Sequence, residues 1–157
     1  MFKEMRRQDR TLSQEETVEI LKNGVFGVLS LSGDSDNEYA YGVPLSYVFA
    51  NDCIYLHCAL EGHKLTRLRN NGKVSFCVVG KANPMPEKFG MQFSSAMVFG
   101  TAHEVSEEEK FGILLSFVDK YSADYKEKGR ENAETAKQKT VGIRIDINHM
   151  TGKTRKM

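Results

Sequence analysis

The stretch "IYLHCALEGHKLTRLRNNG", residues 54–72, changes character at its centre. Before "EG", apolar residues alternate with a period of two, the mark of a half-buried strand. After it, Leu65 and Leu68 recur at helical spacing among His63, Lys64 and Arg67. A strand that turns through Gly62 into a basic helix is able to take an anion, because a helix N-terminus presents unpaired N–H groups and the positive end of its dipole. Lys64 and Arg67 are three residues apart and so neighbours on one helical face. The same residues also suit a solvated basic surface helix, and spacing alone does not choose between the two. His57 shares a strand face with Tyr55. On its own it reads equally as a hydrogen-bonded rim residue or as a catalyst.

Working outward, strands are expected at 25–31, 39–50 and 53–59, then at "KVSFCVVG" (73–80), "MQFSSAMVFGTAHEV" (91–105) and "TVGIRIDI" (140–147). "GDSDNE" and "AND" are read as turns, and "NPMPEKFG" as a Pro and Gly loop. Ser13 with Glu16, and Ser106 with Glu109, have capping-box spacing and open helices, the first of which stops at Asn23 and Gly24. Six strands joined mostly by short turns predict a mainly β fold, a small closed barrel with flanking helices, and the βα rhythm of a doubly wound sheet is missing. The whole of 1–157 is expected to form one domain. Within it 122–139, "SADYKEKGRENAETAKQK", is a charged, apolar-poor surface segment or exposed helix.

The overall charge narrows the partners. Lys and Arg total 22 against 21 for Asp and Glu, a formal net charge of +1, so any basic site is local and neither a nucleic-acid nor an anionic-membrane partner is expected. Cys53, Cys58 and Cys77 lack CxxC spacing and lie in apolar runs, which suits reduced core thiols in the cytoplasm. "MFKEMRRQDR" carries no apolar leader, and no run reaches membrane-spanning length. The four histidines form no metal-ligand motif, and no Walker A, GxSxG or dinucleotide GxGxxG is present.

Four segments in order, "YGVPLSYVF", "IYLHCALEGHKLTRLRNNGKVSFCVVG", "SSAMVFGTAHEV" and "GIRIDINHMTGK", resemble the nitroimidazole resistance proteins of the flavin-binding split-barrel superfamily that includes pyridoxamine phosphate oxidase. The resemblance spans residues 6–154 apart from 122–139. It implies a six-stranded antiparallel Greek-key split barrel that binds FMN, with FAD as the other nucleotide an open groove could take, in a homodimer with the flavin between subunits. It places Pro44, Leu45, Ser46 and Tyr47 beside the isoalloxazine, and His57 at the active-site position with Cys58 near the cofactor. The phosphate falls to Gly62, His63 and Lys64 with Arg67 in support. A histidine at 63 stands where the oxidases usually carry arginine, so most of the attraction rests on Lys64. Lys153 in "HMTGKTRK" matches a segment that approaches the partner's flavin. The apolar strand around Met97, Val98 and Phe99 is what a dimer interface leaves on a sheet surface.

The activity implied is flavin-dependent reduction of the nitro group of a 5-nitroimidazole, a small-molecule substrate, with His57 orienting that group or donating a proton. Two alternatives stand beside it. One is a flavin-nucleotide-binding protein without specific turnover. The other is a pyridoxamine phosphate oxidase, against which the C-terminal "TGKTRKM" lacks the oxidases' substrate residues.

Overall fold

The computed structural model describes residues 1–33 and 35–156; Asp34, in the expected turn 33–38, and Met157, the end of the expected 1–157 span, lie outside the described residues. Eight strands form one antiparallel sheet: β1 (Thr11–Leu12), β2 (Gly27–Leu31), β3 (Tyr41–Leu45), β4 (Val48–Ala50), β5 (Cys53–Ala59), β6 (Lys73–Met85), β7 (Gly90–Glu104) and β8 (Thr140–Arg155). Their order is β3-β2-β6-β7-β8-β5-β4, with β1 on β8. The hydrogen-bonded path does not close, which corrects the expected closed six-stranded barrel. Its two edge strands, β3 and β4, are nevertheless joined by only Ser46 and Tyr47. A chain reaches about 3.8 Å per Cα step, so these edges lie within roughly 11 Å and the sheet must curl into a barrel split between them.

Other expectations are corrected by pairing that the local sequence does not display. The expected strand 39–50 breaks at Ser46–Tyr47, where the Tyr47 N–H and carbonyl are taken by the Tyr121 and Lys120 side chains in place of a neighbouring strand. Half of "NPMPEKFG" is not a free loop: Asn83–Met85 pairs with Gly90–Gln92, and only the helical turn Pro86–Lys88 with Phe89 separates the strands. The last strand runs to Arg155 instead of stopping at 147, since β7 pairs with it as far as Arg155 and β1 pairs with Lys153 and Gly152.

Alternation then fills the barrel. Leu29, Ile54, Leu56, Phe76, Val78, Ala96, Val98, Ile143 and Ile145 all point inward and are buried. Helix α1 (Gln14–Asn23) closes one end, with a complete capping box between Ser13 and Glu16 and with Leu21 in the core. It approaches β8 so closely that a Cβ on Gly152 would meet the Thr17 side chain within 2.1 Å. Helix α3 (Glu107–Tyr121) lies on the outer face of β4 and β5, where Ile113 and Phe117 pack on Val48 with Tyr55 at the margin. The charged segment contains helix α4 (Lys126–Ala136), whose Gly129 admits Val118 of α3 and whose Ala133 is buried. Among the described residues no helix is long and apolar enough to cross a membrane.

Candidate functional site

The junction read from sequence is built as a strand end, a glycine turn and a short helix, α2 (His63–Asn70). Gly62 is its N-cap at φ 143°, a conformation that L side chains rarely adopt, and a Cβ there would meet nothing within 4 Å. Among the described residues no side chain caps the helix, so the first-turn N–H groups are left without a capping partner. At about 100° per residue, Lys64 falls in the middle of the arc that Leu65, Arg67 and Leu68 bury. The lysine is accordingly half-buried, yet it makes no ion pair among the described residues. His63 is exposed and meets the Tyr41 ring edge-on at 4.9 Å.

Arg67 shares the helix but does other work. Its guanidinium is buried, donates to the Tyr39 carbonyl at 2.7 Å and, at 3.4 Å, to that of Ser32, lies 3.9 Å from Glu38 and sits over Tyr41. Arg67 thus ties the β2–β3 connection to α2, while its buried Nε has no partner.

His57 and Cys58 stand at the end of β5 beside this helix. His57 points out of the barrel, edge-on to Phe117 at 4.6 Å, into a cavity of about 280 Å³ that Ser46 and residues of α3 and α4 also line. Burial, and after it the positive charge of Lys64, pushes the imidazole pKa down. Cys58 packs on the barrel core, and burial pushes its thiol up while Lys64 acts the other way. One lysine therefore influences both faces of the strand end.

The segment 44–47 is divided. Pro44 and Ser46 are exposed and Leu45 is half-buried against the core. Tyr47 is fully buried and its hydroxyl donates to the Leu21 carbonyl. The Tyr47 backbone is held from α3 by two residues outside the expected site. Its N–H donates to Tyr121 Oη at 3.1 Å and its carbonyl accepts from Lys120 Nζ at 2.9 Å. The Tyr121 hydroxyl proton goes to the Val25 carbonyl at 2.7 Å or to that of Tyr47 at 2.9 Å. Only the i, i+1 position of Lys120 and Tyr121 at the end of an amphipathic helix could have marked them. We expect Tyr121→Phe to cost about 1–3 kcal/mol, since it leaves the buried Tyr47 N–H unpaired; the midpoint of urea unfolding reads this directly.

Lys153 is not brought to this site within one chain. It pairs across from Ser95 and Thr11, with its ammonium 5.7 Å from the centre of the Phe93 ring. His57 pairs with Gly142, and Gly142 to Lys153 is roughly 36 Å of strand at 3.3 Å per residue.

Residues 13–154 match the pyridoxamine 5'-phosphate oxidase family, and the chain belongs to it. Solved structures share the fold at low identity. A candidate 5-nitroimidazole antibiotic resistance protein from Bacteroides thetaiotaomicron is 21% identical with a TM-score of 0.74, over 91% of this chain and 85% of its own. The flavocytochrome Anf3 from Azotobacter vinelandii is 20% identical with a TM-score of 0.81, over 98% and 73%. An FAD and haem binding protein from Mycobacterium smegmatis is 16% identical with a TM-score of 0.78, over 92% and 72%. No curated protein matches the chain.

Proposed function

We propose that the chain is a single-domain, cytoplasmic flavin-dependent oxidoreductase that reduces the nitro group of 5-nitroimidazole-type compounds. Its FMN would be held at the β5–α2 junction of a homodimer. The observation that carries this is Lys64, a half-buried cation without a carboxylate partner among the described residues, set beside an uncapped helix N-terminus whose glycine leaves open space. A dianionic phosphate satisfies all three features at once, so the residues fit the phosphate end of a flavin nucleotide. The Gly62 turn, the first amides of α2, Lys64 and His63 would hold it. When bound, a flavin supplies electrons to an acceptor that the side chains could not supply themselves.

The chain's own part is binding and orientation. With its pKa pushed below the ordinary 6.5, His57 is neutral at pH 7 and offers one N–H donor and one acceptor. It would orient a polar group of the acceptor, helped by Ser46 in the same cavity. The dimer is supported by an apolar outer sheet face: Met97 and Cys77 stand there half-buried, and Phe99 stays exposed although Phe2 packs on its ring. Lys153 could serve a flavin at such a junction only from the partner subunit.

Flavin-binding structural relatives support flavin chemistry, and the Bacteroides relative supports the nitroimidazole. We expect the purified protein to be yellow and to release FMN on denaturation. NAD(P)H consumption should depend on added nitroimidazole. Bound flavin without that dependence would favour the nucleotide-binding alternative, and peroxide formed from pyridoxamine phosphate would favour the oxidase. A colourless protein that also fails to take up FMN would end the flavin reading.

A further inference from the structure

The two ends of the described chain meet at a second basic cluster, remote from the β5–α2 junction. β1 pairs with the end of β8, Thr11 opposite Lys153 and Leu12 opposite Gly152, which lays the helical turn Gln8–Arg10 beside Thr154–Lys156. A pocket of about 460 Å³ opens between them, with Arg7, Arg10, Arg155 and Lys156 in its wall together with two carboxylates, Asp9 and Glu16. Both carboxylates are already committed. Asp9 takes Arg7 through both oxygens, at 2.8 and 2.5 Å. Glu16 accepts the Ser13 N–H at 2.9 Å in the capping box of α1.

Arg10, Arg155 and Lys156 make no ion pair among the described residues. They also repel. Partial desolvation, and then the charges of Arg7 and Arg155, hold the Arg10 pKa below the ordinary arginine range. Four cations face two carboxylates in this wall, and a multivalent anion placed among them relieves the repulsion that remains. Guanidinium forks match phosphate oxygens in pairs, so phosphate is the anion this wall suits best. From Gly142, opposite His57, to Arg155 is up to about 43 Å of strand at 3.3 Å per residue, so this cluster lies at the other end of β8 from the β5–α2 junction.

We propose that this terminal pocket is a second anion site, one that takes the phosphate portion of a dinucleotide. Nicotinamide and flavin dinucleotides share that chemistry, and the sequence contains no GxGxxG loop to receive it elsewhere.

The test uses the whole protein and inorganic pyrophosphate as the probe, in thermal melts at constant ionic strength. Pyrophosphate should raise the parent's Tm in a saturable way, as any ligand of the native state does. In Arg10→Gln/Arg155→Gln its apparent affinity should fall about 10-fold or more, since each charged contact removed is worth at least roughly a factor of ten. Without anion, the double variant should melt at or above the parent temperature, because repulsion has been relieved; a structural pair would melt lower. A pyrophosphate shift that sodium chloride reproduces, or that is the same in parent and variant, would overturn the site.

Separate arms identify the source. KM values for NADH and NADPH that both rise in the variant assign a nicotinamide dinucleotide, and FAD affinity that falls while FMN affinity stays assigns the flavin dinucleotide. Loss of pyrophosphate binding with every dinucleotide unaffected would overturn the dinucleotide assignment. The pyrophosphate and FAD arms need no turnover, so their outcome is separate from that of the nitroreductase reading.

Discussion

His57→Ala is expected to keep its flavin and lose nitroimidazole reduction by about 100-fold, the scale set by misplacing a bound reactant by an ångström. The ring lies at the strand end beside Lys64, within a cavity that an acceptor could enter, and it takes no part in the phosphate cradle. Burial keeps the imidazole neutral at pH 7, which favours orientation over proton donation. His57→Asn, which retains a donor and an acceptor, should therefore recover most of the loss at matched flavin occupancy. The pH profile has a definite sign. If the neutral ring is the working form, the His57-dependent rate is flat above about pH 6.5 and falls on acidification through the lowered pKa. A rate that rose on acidification would make His57 the proton donor instead. Stability follows the same direction: below pH 6.5 the unfolded histidine takes up a proton that the folded one resists, so the folded state loses stability until its own pKa is passed. Parent kinetics in both variants would remove His57 from the mechanism.

The parts of this architecture that were legible are those with a local cause. The serine caps of α1 and α3 bond residues three apart as the spacing indicates, the first as a complete capping box and the second through the Ser106 side chain alone. The alternation in β2, β5 and β6 reports a barrel interior directly, because the period-two pattern and the buried side are the same fact. What stayed illegible depends on distant partners. "YGVPLSYVF" alternates through the break at Ser46, and the break is enforced by Tyr121 and Lys120, more than seventy residues away. "NHMTGKTR" lacks an apolar face, yet is strand because backbone ladders hold it on both sides. Helix α4 has almost no apolar residues; one glycine opposite Val118 and one buried alanine seat it against α3. The junction at Gly62 was visible as an uncapped basic helix start, whereas the turn of Arg67 toward Tyr39 and Ser32 depends on a connection about thirty residues upstream.

Lys64→Ala should weaken FMN binding about 10- to 100-fold, because a charge-assisted contact is worth roughly 1.5–3 kcal/mol. Riboflavin, which has no phosphate, should bind nearly as before. Two further readouts follow from the position of Lys64 between both faces of β5 and need no flavin at all. Its charge is the second cause of the depressed His57 pKa, so its removal should move the His57 titration upward, toward the ordinary histidine value, in NMR of the flavin-free protein. The same charge holds the Cys58 thiol lower than burial alone would, so Cys58 should titrate higher in the variant and react more slowly with an alkylating agent at fixed pH. Lys64→Arg separates charge from shape: it should restore both titrations and recover only part of the FMN affinity, since the longer planar group must fit the half-buried position of an ammonium. Equal weakening of riboflavin and FMN, with the His57 titration unmoved, would make Lys64 a packing residue and leave the β5–α2 junction without an anion to hold.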